Sequence, residues 1–333
     1  MSNNTPDTPP EPPPSTGSIR RPKTGGLAKG EPVPGVAKVD PILIADNITR
    51  RFGGLTAVDV EHLEIPRNAI TALIGPNGAG KTTLFNLLCG FDKPNSGSWS
   101  YDGQQLSGIP SFKVARMGQV RTFQLTKALS LLTVLENMKL GATKQIGERF
   151  WTSMLPFLWR KQETEIEQKA RELLARFKLD AKADDYAASL SGGQRKLLEM
   201  ARALMSDPNL VMLDEPMAGV NPALTQSLLD HILDLKELGM TVLFVEHDMH
   251  MVRHIADWVV VMAEGRIVAE GPPDVVMQDK SVIDAYLGAH QDVDLGVVTG
   301  RISGELDTSA IALLEEIHEE EEASIAEAEE ENK

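Results

Sequence analysis

Two short glycine-rich segments of this chain contain residue types that could bind phosphate groups. The first, GPNGAGKT at residues 75–82, combines three glycines with the ammonium of Lys81 and the hydroxyl of Thr82. A loop of this kind wraps its backbone N–H groups around phosphates, and the start of a following helix adds positive potential. We therefore expect a nucleoside triphosphate here, with Lys81 bridging the β and γ phosphates and Thr82 ligating Mg²⁺.

Two carboxylates follow the apolar run LVML and complete the segment 210–215. Asp214 would end a parallel strand, where ligands bind in such sheets, and we expect it to hold Mg²⁺ through water. Glu215 is the natural general base, because it can orient a water molecule in line with the γ-phosphate. The lesser alternative for Glu215 is an exposed acid or a charge at a helix start.

Two further polar side chains end neighbouring apolar runs. His247 ends TVLFVEH, and we expect it to contact the γ-phosphate; the alternative is a core histidine with satisfied hydrogen bonds. Gln124 ends RTFQ, and its amide oxygen could contact Mg²⁺ or the side chain could only close a turn. The carboxyl ends of parallel strands would bring these groups to one edge of the sheet.

The second glycine-rich segment, LSGGQ at residues 190–194, begins a helix-like run. Five fixed residues would occur by chance in roughly 0.05% of chains of this length, which makes an accident a poor explanation. This segment cannot easily fold back over the nucleotide held by residues 75–82. We therefore expect it to complete the nucleotide site of a second chain, either a copy of this one or a related one.

Short apolar runs alternate with amphipathic ones between residues 41 and 288, which predicts an α/β fold with a mainly parallel sheet covered by helices. The runs ITALI, LVML and TVLFV are apolar throughout, as is typical of strands buried on both faces. Antiparallel pieces are expected at residues 98–106 and around Glu264 and Gly265. The other strands are expected at residues 42–45, 69–74, 121–124, 210–213 and 241–245.

The two ends of the chain differ in composition from this middle part. Residues 1–40 contain nine of the 20 prolines and are predicted to be a disordered leader. Residues 289–333 contain 14 acidic residues against Arg301 and Lys333, so most of the net charge of −15 belongs to a largely disordered tail. Within this tail, residues 310–317 could form a helix on a partner. No apolar run approaches the length needed to span a bilayer.

These motifs, in this order, resemble the nucleotide-binding subunits of ATP-binding cassette (ABC) transporters. The resemblance covers residues 41–288 and implies a P-loop ATPase with a mainly parallel sheet, an antiparallel β subdomain and a helical signature subdomain at about residues 125–207. It further implies that two cassettes sandwich ATP and Mg²⁺ head to tail and drive a pair of membrane permeases between access states.

Site roles follow from the resemblance residue by residue. Adenine would stack on Phe52, and the remaining ATP contacts would come from Gly75, Pro76, Asn77, Gly78, Ala79, Gly80, Lys81, Thr82 and Thr83. Catalysis would involve Glu215, His247 and Gln124, and Mg²⁺ would be held by Thr82, Gln124 and Asp214. The signature offered to the neighbouring site would be Leu190, Ser191, Gly192, Gly193 and Gln194.

Further segments are similar to the ATPase subunits of branched-chain amino-acid uptake systems: RRFGGLTAV, RTFQ, LTVLENMKLG, AGVNP, VEHDM and AYLG. This similarity implies a peripheral subunit on the cytoplasmic face of the cell membrane, with permeases and an extracytoplasmic solute-binding protein as partners. Urea or amide uptake and lipid or lipopolysaccharide export are the alternatives. Asn221, where cassettes often have Asp, is a departure, and Arg195 and Lys196 receive no role.

A soluble cassette that acts on nucleic acid is the rival class. Such a role would require a basic face, whereas this chain has a net charge of −15, a single cassette and no long coiled coil. We therefore expect no nucleic-acid partner. Residues 146–160 contain Trp151 and Trp159; the favoured interpretation is the core of an enlarged helical lobe, and the alternative is a surface near lipid headgroups or a permease helix.

Overall fold

The computed structural model describes residues 33–122, 129–143, 145 and 156–289. Expectations about residues 1–32, Gln124, Trp151 and the acidic tail from residue 290 onward lie outside the described residues. The Mg²⁺ and catalytic roles expected of Gln124 therefore stay predictions.

The described part of the chain contains ten strands in two sheets. In chain order the strands are β1 (Pro41–Phe52), β2 (Leu55–Pro66), β3 (Ile70–Ile74), β4 (Ser96–Tyr101), β5 (Gln104–Gln105), β6 (Gln119–Arg121), β7 (Leu210–Asp214), β8 (Thr241–Val245), β9 (Trp258–Ala263) and β10 (Arg266–Gly271). A six-stranded sheet has the order β10-β9-β3-β8-β7-β6, and all of its pairings are parallel except that of β9 with β10. The antiparallel four-stranded sheet has the order β2-β1-β4-β5.

The three wholly apolar runs form the centre of the six-stranded sheet. Every residue of β3, β7 and β8 is buried, which agrees with the expectation of strands covered on both faces. Alternate residues of β8 lie in different hydrophobic cores. Val242 and Phe244 belong to the core that contains Leu197 and Leu228, whereas Leu243 and Val245 belong to the core that contains the buried residues of the antiparallel sheet.

Two details of the sheet differ from the strand prediction. The strand expected from residue 121 already begins at Gln119, because Gln119–Arg121 pair in parallel with Leu210–Met212 of β7, and residues 123 and 124 of that prediction lie outside the described residues. The long strand β2 was not anticipated, since its sequence LTAVDVEHLEIP mixes charged and apolar residues. It forms by antiparallel pairing with β1, with one face of the sheet more exposed than in β3.

The helices are α1 (Lys81–Leu88), α2 (Ser111–Arg116), α3 (Val134–Lys139), α4 (Pro156–Arg176), α5 (Gly192–Leu204), α6 (Pro222–Glu237), α7 (Met249–Ile255), α8 (Pro273–Val276) and α9 (Lys280–Ala289). Of these, α3, α4 and α5 fall within the segment where the sequence predicts a helical lobe, and they contact one another. Among the residues described, no helix combines the length and apolar composition that crossing a bilayer requires.

The segment at residues 33–40 makes contacts inside the folded domain. The Val36 N–H donates to Oε1 of Glu270 over 2.7 Å, and the Lys38 ammonium lies 2.6 Å from Oε2 of the same carboxylate. The Lys38 N–H donates to Glu64. Both charges of the Lys38 and Glu270 pair are buried, so this segment packs against the residues that follow it.

Candidate active site

The glycine-rich loop at residues 75–80 connects β3 to α1. Gly75 has φ +144°, and a Cβ there would lie 2.0 Å from the carbonyl oxygen of Met262. Gly80 has φ +97°, and a Cβ there would lie 2.2 Å from the carbonyl oxygen of Ala57. Only glycine can therefore occupy either position. Gly80 also precedes α1 without a side-chain cap, so the first N–H groups of the helix are available to an anion.

The side chain of Lys81 points into this loop. Its ammonium donates to the carbonyl oxygens of Gly75 over 2.5 Å and of Pro76 over 2.9 Å. Burial lowers the pKa of Lys81, and the negative charge of Glu215 opposes that change. The lysine of the phosphate loop and the expected catalytic carboxylate therefore act on each other electrostatically in one site.

Phe52 ends β1, and its ring is about half exposed (49%). The guanidinium of Arg50 lies 4.6 Å from the centre of this ring. An aromatic ring that is open to solvent and flanked by a cation can stack on a planar base. Adenine stacking by Phe52 stays a prediction, and its exposed ring is compatible with that role.

Asp214 ends β7 and is buried, with a side chain only 8% exposed. The Nη2 atom of Arg121, at the end of the adjacent strand β6, lies 2.6 Å from its Oδ2 atom. The Arg121 guanidinium also lies 5.0 Å from the ring centre of Phe85 and 5.8 Å from that of Phe91. The carboxylate is therefore held in one orientation by a buried ion pair.

Glu215 follows directly, in a left-handed backbone conformation with φ +44°. Its N–H donates to the carbonyl oxygen of Val245, at the end of β8, over 3.0 Å. A non-glycine residue in this region costs on the order of 1 kcal/mol and persists where its surroundings hold it.

His247 lies just after β8 and has a side chain that is 58% exposed. Because its side chain is this exposed, His247 is not a core histidine with satisfied hydrogen bonds. Its Nδ1 atom lies 3.6 Å from Oε2 of Glu246, whose own side chain is almost fully buried. Burial raises the pKa of Glu246, and the Met217 N–H donates to its Oε1 atom over 3.0 Å.

The donor set fits Mg²⁺. Asp214 supplies a carboxylate and Thr82 a hydroxyl, which are the hard oxygen ligands that this ion prefers. Within residues 33–122, 129–143, 145 and 156–289, no group of three or more His, Cys, Asp or Glu side chains could form a closed metal cage. Mg²⁺ in nucleotide sites is normally bound by one or two protein groups together with substrate phosphates.

The second glycine-rich segment forms the start of α5. The Ser191 hydroxyl accepts from the Gln194 N–H, and the Gln194 side chain accepts from the Ser191 N–H, which makes a capping box. A Cβ on Gly193 would lie 2.5 Å from Leu224, whereas one on Gly192 would meet no atom within 4 Å. Leu190 is buried below them. The helix start is therefore exposed at Ser191 and Gly192 and is packed against Leu224 at Gly193.

Sequence reasoning missed three residues of this site. Arg121 pairs with Asp214, Lys196 bonds backbone carbonyls that follow Glu215, and Glu246 accepts the Met217 N–H. The only available signal for Arg121 was its position in RTFQ, near the end of a strand on the same sheet edge. Lys196 was noticed directly after the signature but was given no role.

Comparison with known proteins agrees with this geometry. A family model described as "ABC transporter" matches residues 58–218, and a second, described as "Branched-chain amino acid ATP-binding cassette transporter", matches residues 266–292. The probable branched-chain amino acid transport ATP-binding protein LivG of Archaeoglobus fulgidus is 41% identical over 257 residues, which cover 77% of this chain and 99% of the relative. The chain belongs to the ABC transporter family.

Other relatives of this ABC cassette are similar over comparable lengths. The high-affinity branched-chain amino acid transport ATP-binding protein BraF of Pseudomonas aeruginosa is 40% identical over 74% of this chain and 98% of its own length. LivG of Escherichia coli is 39% identical over the same shares.

Solved structures agree in fold. A nucleotide-free ATP-binding cassette from an ABC transporter matches with a TM-score of 0.64 and 36% identity, over 74% of this chain and 98% of that one. An ABC cassette in its ADP conformation matches with a TM-score of 0.66 and 37% identity, over 75% and 100%. The ABC-type α/β fold, with its antiparallel sheet and helical part, is confirmed, and the chain is an ATP-binding and ATP-hydrolysing cassette.

Proposed function

We propose that this cassette hydrolyses ATP at a site shared with a second cassette and so powers the uptake of branched-chain amino acids. The observation that carries the ATPase part is that the phosphate loop follows β3 while Asp214 and Glu215 stand at the end of β7, so that both lie at the same edge of the parallel sheet. The names of the relatives, together with the match at residues 266–292, support the cargo.

Each side chain has a role in this proposal. The loop at residues 75–80 and the ammonium of Lys81 bind the phosphates, and the ring of Phe52 stacks on adenine. The carboxylate of Glu215 orients the attacking water and accepts its proton, and His247 contacts the γ-phosphate. Positioning and charge stabilisation account for most of the rate in such a reaction.

Thr82 and Asp214 would hold Mg²⁺, with Gln124 as a third contact expected from sequence. Bound there, the ion would neutralise charge on the phosphate oxygens. The ion pair with Arg121 leaves the Asp214 carboxylate fixed in one direction before nucleotide arrives.

The second half of each site would come from a neighbouring cassette. Ser191 and Gly192 are exposed at the start of α5, whereas Gly193 is buried behind them, and we expect this helix start to bind a phosphate held by another chain. The neighbour is a second copy of this chain or a related cassette. ATP would close the pair, and hydrolysis would release it.

The partners implied are two membrane permeases and an extracytoplasmic solute-binding protein. The cassette would then work at the cytoplasmic face of the cell membrane as a peripheral subunit. Urea or amide uptake and lipid export use the same ATPase chemistry, so the identity of the membrane partners separates these alternatives.

Purification of the full chain from membranes with its bound partners tests this proposal. We expect to recover permeases and a binding protein, and we expect ATP turnover in proteoliposomes to rise when the binding protein carries leucine, isoleucine or valine. A complex containing Glu215→Gln is the matched control, since it should have the same composition without turnover. Stimulation by urea or short amides alone, or recovery of a lipid-export permease, would overturn the cargo assignment.

A further inference from the structure

Four residues that follow β7, Glu215 to Ala218, form a short segment that we call the catalytic loop. The ammonium of Lys196, on the first turns of α5, donates to three carbonyl oxygens of this loop. The distances are 3.4 Å to Glu215 and 3.0 Å to Pro216, and the third acceptor is Ala218. The three N–H bonds of an ammonium match these three acceptors in number.

The catalytic loop is also held by Glu246. This side chain is 1% exposed, and its Oε1 atom accepts the N–H of Met217 over 3.0 Å. Its Oε2 atom accepts the N–H of His247 over 3.3 Å. Lys196 on α5 thus binds carbonyl groups of the loop, and Glu246, directly after β8, binds one of its N–H groups.

The first residue of the catalytic loop needs contacts that hold its backbone. Glu215 has φ +44°, a conformation that a non-glycine residue keeps only when its surroundings impose it. A cavity of about 20 Å³ lies beside the loop, and its lining includes the charged side chains of Lys196, Glu199 and Asp214 as well as the apolar ones of Met200, Leu213 and Leu228. The hydrogen bonds from Lys196 and Glu246 are directional contacts that fix the loop backbone in this conformation.

We propose that Lys196 and Glu246 are positioning residues, which hold the carboxylate of Glu215 at the place where it can orient water. The proposal rests on the proposed catalytic role of Glu215. Lys196 lies two residues beyond Gln194 on the same helix, α5, whose start carries the signature. A shift of that helix start, when it engages the nucleotide of a neighbouring cassette, therefore moves the loop that carries this chain's own catalytic carboxylate.

The first experiment compares two lysines that bond backbone carbonyls. Lys196→Met removes the contacts to the catalytic loop, whereas Lys169→Met removes a 3.0 Å bond to the carbonyl oxygen of Met205 near the far end of α5, together with an ion pair to the exposed Asp207. We expect Lys196→Met to lower kcat by about tenfold or more and to leave KM for ATP within about twofold. Lys169→Met should leave both constants near those of the parent, and Lys196→Arg should restore part of the lost kcat.

The second experiment measures the loop directly by amide hydrogen exchange in the full chain without nucleotide. The exchange of a peptide covering residues 213–221 should be about tenfold faster in Lys196→Met and in Glu246→Ala. Glu246→Gln keeps an acceptor for the Met217 N–H and should accelerate exchange less. A reference peptide in β8 should exchange at the parent rate in every variant, which separates loop release from global unfolding.

The outcomes distinguish this proposal from the proposed function. If Glu215→Gln hydrolyses ATP at the parent rate, the catalytic role of Glu215 fails and the positioning role fails with it. If Glu215→Gln is inactive while Lys196→Met matches Lys169→Met in kcat and in exchange, the positioning role alone is overturned. A rise in KM with unchanged kcat would also overturn it, because Lys196 would then act on nucleotide binding.

Discussion

Arg121 and Asp214 form a buried ion pair with 2.6 Å between Nη2 and Oδ2, although 93 residues separate them in the chain. The pair joins the ends of β6 and β7 at the active-site edge of the sheet. Arg121 also donates to Oδ1 of Asn86 on α1, so one guanidinium links both strands to the helix that follows the phosphate loop.

Arg121→Ala should destabilise the fold strongly, because it leaves the buried carboxylate of Asp214 without its partner. We expect a loss of about 3–5 kcal/mol in the free energy of unfolding. Arg253→Ala is the matched control, since its 2.7 Å pair with Asp274 is largely exposed and should contribute about 0–1 kcal/mol. Urea unfolding at neutral pH measures both, and equal losses would contradict the assignment.

Lys81→Ala should weaken ATP binding by about tenfold or more, because the phosphate loop loses its only side-chain ammonium. The loop also loses the bonds that the Lys81 ammonium donates to the carbonyl oxygens of Gly75 and Pro76, while the close backbone contacts at Gly75 and Gly80 remain. Titration with a fluorescent ATP analogue measures the dissociation constant. Unchanged affinity would show that Lys81 does not contact the phosphates.

Glu215→Gln should fail in a different way, with turnover reduced by about a hundredfold or more and ATP still bound. The amide has nearly the shape of the carboxylate but cannot accept a proton from water. We expect this variant to accumulate an ATP-dependent dimer with itself or with its partner cassette, as seen by size-exclusion chromatography. Hydrolysis at the parent rate would remove Glu215 from the role of general base.

Gly192→Ala should fold as well as the parent, because the added Cβ meets no atom within 4 Å in this chain. It should nevertheless reduce turnover, since the methyl group would stand where a neighbour's phosphate is expected. Gly193→Ala is the contrast: its Cβ would lie 2.5 Å from Leu224, and the variant should lose thermal stability. Full activity of Gly192→Ala would argue against a phosphate contact at this position.

His231 should make the fold sensitive to mild acid. Its ring stacks on Phe177 with 4.4 Å between ring centres, and neither ring nitrogen has a hydrogen-bond partner among the described residues. Burial lowers the pKa of His231 in the folded protein; Asp234 and Asp230 oppose this change, and Lys178 and Arg176 reinforce it.

The unfolded chain therefore binds the His231 proton more readily than the folded one, and stability is lost as pH falls below about 6.5. His231→Phe should keep the stacking and remove this part of the loss. Urea unfolding of parent and variant at pH 7.5 and pH 5.5 measures the difference. An equal loss of stability in both proteins would exclude His231 as a cause.

The sequence by itself determined the features that depend on local pattern. The runs that form β3, β7 and β8 are almost entirely apolar, which predicts buried strands. The phosphate loop and the signature are each one continuous segment, so their residue types alone indicate phosphate binding. The turn at Glu264 and Gly265, where both residues have positive φ, was also predictable from residue type.

Only the tertiary structure decided which distant groups meet. The strand β6 ends at Arg121 because its pairing with β7 sets the register, and that register brings Arg121 to Asp214. Lys196 reaches the catalytic loop, and Lys38 reaches Glu270 over 232 residues, without any sequence signal. Such contacts depend on how strands and helices pack in space. A local pattern of residue types does not identify them, because the two partners lie far apart in the sequence and meet only in the folded chain.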